Sequence, residues 1–166
     1  MALRPRPKEL DSAVVPKIIR AFSRWNTWLY RVTGGMLGDT LRAGAAFPWG
    51  LPLCLLTTTG RKSGVARTTP LLFIEDNGNV IVVASVGGLP SHPLWYTNLE
   101  ANPEVIVQIK RRIRKMRART ASPIERAALW PRLVSHYADF ANYQSWTQRE
   151  IPVVICEPVD VVPSAG

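Results

Sequence analysis

LLTTTGRKSGVARTTPLLFIEDNGNVIVVASVGG, residues 55–88, decides the fold, because it reads as three successive strands joined by two short turns. Leu51–Thr59 is an apolar run closing on three threonines, a β-branched composition suited to a pleated, half-buried surface. Gly60-Arg61-Lys62-Ser63-Gly64 turns the chain, with a glycine at each end to permit positive φ. The return strand is expected over Val65–Glu75. Asp76-Asn77-Gly78-Asn79 then supplies the Asn-Gly pair of a tight hairpin. Val80–Ser85 is a third apolar strand, ending in Val86-Gly87-Gly88. A sheet thus presents two glycine-rich loops, one carrying a guanidinium and an ammonium, and that suits an anionic ligand.

Downstream, a proline-bounded loop leads into Leu94–Leu99, expected to make one or two helical turns ending near Asn102-Pro103. Glu104–Ile109 alternates Val105, Val107 and Ile109 on one face, as a strand does. Lys110-Arg111-Arg112 is the expected turn and Ile113–Thr120 the return strand. Ser122-Pro123-Ile124-Glu125 carries the start signals of a helix: a serine cap, proline at the first position and a glutamate completing a capping box. That helix is expected to reach about Tyr137, kinked or broken near Pro131. Tyr137, Phe140, Tyr143 and Trp146 recur at intervals of three, on one slowly drifting helical face, and Ile151–Val162 is expected to close the sheet.

Upstream, Met1–Asp11 reads as a disordered lead. From Ser12 to Thr33 the residues Val15, Ile18, Ile19, Phe22, Trp25, Leu29 and Val32 recur at helical spacing, with Lys17, Arg20, Arg24, Trp28 and Arg31 elsewhere on the helix. Such a helix can pack its stripe on the barrel or lie on an anionic membrane. Gly34, Gly35 and Gly38 mark a loose connection.

At 166 residues and 46% hydrophobic content the chain makes about one domain with a real core. Its formal charge of +9 favours anionic partners. Cys54 and Cys156 lie in apolar strands and read as buried, reduced thiols. No secretory leader and no bilayer-spanning stretch is visible, so a cytoplasmic location is expected, with peripheral contact at the inner face of the membrane through residues 12–33. His92 and His136 are not spaced as metal ligands, and no nucleophile elbow is present, so neither a metal site nor a hydrolase is expected. The run Lys110–Arg119 holds seven cations in ten positions, which resembles a phosphate-tracking surface. It lacks stacking aromatics, however, and a solvated basic hairpin explains it as well, so nucleic acid stands as a rival partner only.

LLTTTGRKSGVARTTPLLF, NVIVVASVGG, HPLWYTNLEANPEVIVQIK, DFANYQSW and IPVVICEP, in that order, resemble the deazaflavin (coenzyme F420)-dependent nitroreductase and quinone reductase family, over roughly Trp25–Pro158. The resemblance implies a mainly β (α+β) fold: a split β-barrel of the FMN-binding, pyridoxamine-phosphate-oxidase-like type over residues 34–166, preceded by the tail and amphipathic helix of residues 1–33. It implies hydride transfer from reduced F420 to a quinone, a nitroaromatic or a conjugated enone. Arg61, Lys62, Ser63 and Arg67 would hold the phosphate and acidic tail. Thr68, Thr69, Pro70, Leu71 and Leu72 would run beside the ring, with Ala84, Ser85, Val86 and Gly87 also contacting the cofactor. Leu94, Trp95, Tyr96 and Asn98 would wrap the cofactor. Ser85, Tyr137, Phe140 and Tyr143 would meet the acceptor, with Ser85 or Tyr137 steadying its developing oxyanion.

Without the resemblance, a solvated turn, a strand-capping serine and core aromatics would account for these residues. Three positions depart from the family: Val86 stands where many relatives carry lysine, Phe140 where they often carry tyrosine, and Leu72 where some carry an aromatic residue. FMN would suit the same cations, and a non-enzymatic binder of cofactor, membrane or nucleic acid is the third reading. Flotation on anionic liposomes, with and without residues 1–33, separates the two readings of the first helix. The full chain alone floats if the helix lies on the membrane, and neither form floats if it packs on the barrel.

Overall fold

The computed structural model describes residues 3–7, 40–41 and 51–159. The expected helix over residues 12–33, most of the connection after it and the chain beyond residue 159 lie outside the described residues. The strands are β1 (Thr40–Leu41), β2 (Leu51–Thr59), β3 (Ala66–Asp76), β4 (Asn79–Val83), β5 (Glu104–Ile109), β6 (Arg112–Thr120) and β7 (Val153–Pro158). The helices are α1 (Leu94–Ala101), α2 (Pro123–His136) and α3 (Asp139–Ser145). The sheet runs β1-β2-β3-β4-β7-β6-β5, and β5 returns to pair with β2. Strands β2 to β7 therefore close a six-strand barrel in which every pairing is antiparallel. Closure leaves these strands no open edge.

Period-two alternation fills the inside. Cys54 and Leu56 of β2, Val80 and Val82 of β4, Val105 and Val107 of β5, Met116 and Ala118 of β6, and Val154 and Cys156 of β7 form one buried cluster. Trp95, Tyr96 and Leu99 of α1 join it, so this helix plugs one end of the barrel. The odd-numbered neighbours on β4 and β7, Ile81, Val83, Val153 and Ile155, face outward and are covered by Leu129 and Leu133 of α2, by Tyr137 and by Phe140 of α3. Burying each such aliphatic side chain contributes about 1.5–3 kcal/mol. No helix among the described residues is long and apolar enough to cross a membrane.

Most expected elements are found, with shifts of a residue or two at their ends, though the closing strand expected over Ile151–Val162 runs over Val153–Pro158. At the start of α2 the Ser122 Oγ accepts from the Glu125 N–H at 3.3 Å, and the Glu125 carboxylate accepts from the Ser122 N–H at 2.8 Å. Against expectation α2 runs unbroken through Pro131. Ala127 and Pro131 are both exposed, so the carbonyl that loses its donor faces water rather than the core. The aromatic series is also divided. Tyr137 ends α2 and the chain bends before α3, so Tyr137, Phe140 and Tyr143 meet at a corner between two helices. Nor is the whole lead loose: the Arg4 N–H donates to Asn142 Oδ1 at 2.9 Å, and the Trp146 indole donates to the Arg4 carbonyl at 2.8 Å.

Both cysteines are free and buried inside the barrel. Burial pushes the Cys156 thiol up to about 12, helped by Glu157, and pushes Cys54 up as well, with Cys156 adding to the shift. Tyr96, Tyr137 and Tyr143 are raised too, chiefly by burial. The unfolded chain releases these protons first, so it binds fewer of them and stability falls as pH rises. From the ordinary thiol value of 9.0 towards about 12, each cysteine should remove about 1.4 kcal/mol per pH unit. Urea midpoints measured across that range should drop steadily, and less steeply once both cysteines are replaced by alanine.

Candidate active site

The Gly60–Gly64 turn is held from within. Gly60 N–H donates to the Val65 carbonyl at 2.9 Å, and Gly64 N–H to the Gly60 carbonyl at 2.8 Å, with Gly64 at a φ of 66°. It is also clamped from α1. The buried Asn98 amide accepts from the Arg61 N–H at 3.1 Å and donates to Thr58 Oγ1 at 3.3 Å. Asn98 thereby sets where the turn points, and Ser63 Oγ accepts from the Val65 N–H at 3.4 Å.

Arg61 and Lys62 of this turn and Arg67 at the start of β3 are exposed, and among the described residues none has a carboxylate partner. Five arginines elsewhere are matched: Arg112 and Arg114 with Glu75, Arg119 with Glu125 and Glu157, Arg126 with Glu150, and Arg132 with Asp76. Lys115 and Arg117, on the outside of β6, also lack such a partner among the described residues. A depression of about 220 Å3 between α2 and the barrel is lined by Asp76, Arg119, Glu125 and Arg132. Its charges neutralise one another, which leaves it little field for a ligand. The positive field at the turn is uncompensated.

The pleat of β3 divides the expected cofactor contacts. Leu71 and Phe73 pack with the inner cluster, whereas Leu72 and Ile74 pack with the outer one. By alternation Arg67 and Thr69 share the face of Leu71, while Thr68 and Pro70 share the face of Leu72. Thr68 Oγ1 lies 2.7 Å from Thr57 Oγ1 across the β2–β3 ladder. Leu72 leads along the outer face to the cluster of Val83, Tyr137, Phe140 and Tyr143. Ala84, Trp95 and Tyr96 instead belong to the interior, and Tyr96 OH bonds Thr120 Oγ1 at 2.9 Å. Leu94 is 70% exposed. The outer face of β3 therefore gathers Thr68, Pro70 and Leu72 into a track from the cationic turn towards the aromatic corner.

Ser85–Gly88 ends that track. Val86, Gly87 and Gly88 have φ of 47°, 66° and 77°, three left-handed residues in succession, one of them β-branched. Gly88 has to be a glycine, since a Cβ there would lie 2.9 Å from the Tyr143 carbonyl oxygen and 3.1 Å from its Cα. The Ser85 hydroxyl, expected on residue grounds to cap the strand, makes no such bond and has no partner among the described residues. In the corner cluster Tyr137 OH and Tyr143 OH are 3.0 Å apart, and the rings of Tyr137 and Phe140 meet edge-on at 5.1 Å. Burial first, then Tyr143 and Asp139, raises Tyr137 well above the ordinary phenol value, so it stays a neutral hydrogen-bond donor.

Sequence reasoning missed Arg149. Its Nε donates to the Leu89 carbonyl at 3.1 Å, one terminal nitrogen donates to the carbonyls of Ala84 and Ser85 at 3.1 and 3.0 Å, and the other lies 3.2 Å from His92 Nδ1. A lone arginine in a loop some 60 residues along the chain carries no local signal of this.

Unpaired cations, a flat track and a free hydroxyl fit a ligand with an anionic tail and a planar ring. The closed antiparallel barrel defines a split-β-barrel protein. The chain belongs to the F420H(2)-dependent quinone reductase family, which it matches over residues 22–158. Rv3178 of Mycobacterium tuberculosis, provisionally named an F420H(2)-dependent quinone reductase, is 51% identical over 118 residues, covering 71% of this chain and 99% of that protein. The F420H(2)-dependent quinone reductase Rv1261c of the same organism is 38% identical over 130 residues, covering 76% and 83%. Among solved structures, the F420-H2 dependent reductase FDR-A superposes with a TM-score of 0.60 at 46% identity, covering 64% of this chain and 94% of that one.

Gly88 gives a stability test of the corner. Gly78, at a φ of 85° in the β3–β4 hairpin, has open space where an added Cβ would sit, so Gly78→Ala should carry only the backbone cost, about 1 kcal/mol. Gly88→Ala should lose more, about 2–4 kcal/mol, because α3 must also move. Urea denaturation of the two variants checks the order.

Proposed function

We propose that this chain transfers hydride from reduced coenzyme F420 to a quinone held beneath the Tyr137–Phe140–Tyr143 corner. One observation carries the reading: among the described residues Arg61 and Lys62 in the turn and Arg67 at the start of β3 stand without carboxylate partners, at the end of β3 from which the outer track of Thr68, Pro70 and Leu72 leads towards a Ser85 hydroxyl that also has no partner there. The family and the relatives' names support the same donor and acceptor.

When bound, the deazaflavin supplies a two-electron hydride donor. The protein's share is position and field. Arg61, Lys62 and Arg67 hold the phosphate and carboxylates of the tail through charge-assisted hydrogen bonds, with Ser63 and the turn amides beside them. Thr68, Pro70 and Leu72 present a smooth face for the ring. The aromatic corner holds the acceptor over it and keeps water out, so an oriented encounter replaces a bimolecular one. Ser85 donates to the acceptor oxygen on which negative charge develops, with the neutral Tyr137–Tyr143 pair as a second donor. The final proton comes from solvent. A lipid-soluble quinone gives contact of residues 12–33 with a membrane a purpose. Phe140 has no hydroxyl to offer a nitro group, so quinones and enones are favoured over nitroaromatics as acceptors.

Titration of the purified protein with F420, FMN and NADPH, followed by cofactor fluorescence, tests the donor, and menadione then tests turnover. F420 should bind and its reduced form should be oxidised by menadione, with a bicyclic nitroimidazole turned over poorly. Arg61→Ala combined with Lys62→Ala should weaken F420 binding by about 10- to 100-fold and flatten its salt dependence. Tight FMN binding in place of F420, or no turnover with either, would overturn the proposal.

A further inference from the structure

We infer that Arg149 is a positioning residue for the reaction: its guanidinium gathers the carbonyls of Ala84, Ser85 and Leu89 and so holds the strained Ser85–Gly88 turn in the shape that presents the Ser85 hydroxyl to the acceptor. The inference rests on the functional reading above for its catalytic part, and on geometry alone for its structural part.

The turn has reason to need a staple. Val86, Gly87 and Gly88 are all left-handed, and for the β-branched Val86 that conformation is costly. A left-handed succession persists only where its surroundings over-determine it. Within the turn only two backbone bonds close it, Gly88 N–H to the Ser85 carbonyl at 3.0 Å and Leu89 N–H to the Val86 carbonyl at 3.4 Å. Arg149 supplies the rest. Its Nε and one terminal nitrogen reach carbonyls on both sides of the turn, Leu89 after it and Ala84 and Ser85 before it. A planar fork with five donors can make that span, and an ammonium cannot.

The contacts of Arg149 are to three backbone carbonyls and the His92 ring, and partial burial lowers its pKa. A partly buried cation with no carboxylate beside it among the described residues is unfavourable for stability alone, so its place against the turn points to function. The residue is in turn fixed from α3, where Gln144 Nε2 donates to the Arg149 carbonyl at 2.9 Å and Gln144 Oε1 accepts from the Ile151 N–H at 2.9 Å. One segment thus ties the aromatic cover and the serine turn to each other. Among the described residues the side chain makes no hydrogen bond to Thr68, Pro70, Leu72 or the mouth cations, so its effect should fall on the chemical step and spare tail binding.

The experiment compares wild type with Arg149→Ala and Arg149→Lys. Arg149→Ala should lower kcat for menadione by about 10- to 100-fold while the fluorescence-measured affinity for F420 changes by less than about threefold. Arg149→Lys should be impaired almost as much, and added guanidinium at non-denaturing concentration should restore part of the activity of Arg149→Ala. Hydrogen exchange in the ligand-free protein, read on the peptide spanning residues 84–92, should quicken at Gly88 and Leu89 in both variants. Should Arg149→Ala not fold, Arg149→Lys carries the comparison. Unchanged exchange overturns the staple, and quickened exchange with undiminished kcat overturns its part in the reaction. If the wild type itself reduces no quinone, the functional reading has failed, the catalytic part of the inference fails with it, and the exchange result alone decides the staple.

Discussion

Pairing of β5 back onto β2 is the constraint on which the rest depends. Three registered pairs, Leu55 with Gln108, Leu56 with Val107 and Thr57 with Ile106, turn an open sheet into a closed one. Closure gives every strand an inside and an outside. It sends Cys54, Val107 and Met116 into a sealed core and leaves the other face of β3 and β4 to be furnished for a ligand. A slip of one residue at this seam would exchange the two faces and abolish both core and track. The α1 plug then has a fixed seat, and from that seat Asn98 reaches the cationic turn.

Charge is distributed by the same logic. Five arginines on the flank and far side of the barrel are engaged in ion pairs, several of them between elements distant in sequence, such as Arg132 with Asp76 and Arg114 with Glu75. Exposed pairs of this kind add little stability. Their effect is to quiet the surface, so that the surplus of positive charge is expressed most freely at Arg61, Lys62 and Arg67 and on the outside of β6. A ligand with an anionic tail is met by a field that the protein has nowhere to discharge internally.

Local signals in the sequence placed the strands, the Asn-Gly hairpin and the capping box at Ser122, because each depends on residues within a few positions of one another. Cooperation across long separations was less legible. The inside-outside division of β3 required the register with β2 and β4. Without it Leu71 and Leu72 read alike, although one lines the core and the other the track. The spacing of Tyr137, Phe140 and Tyr143 predicted a single helical face, yet the chain bends after Tyr137, and only tertiary packing brings the rings together at the corner. Arg149 was invisible for the same reason, since its partners lie 57 to 65 positions earlier.

Arg4 has a practical bearing. Its backbone engages Asn142 and Trp146, and its guanidinium lies 3.8 Å from Asp139, so residues at opposite ends of the chain share one small platform. A purification tag fused ahead of Leu3, or trimming of the first few residues to aid crystal growth, would act directly on α3, the roof of the proposed acceptor site. Handles for immobilisation or labelling are better placed on the exposed hairpin at Asn77-Gly78, away from that roof.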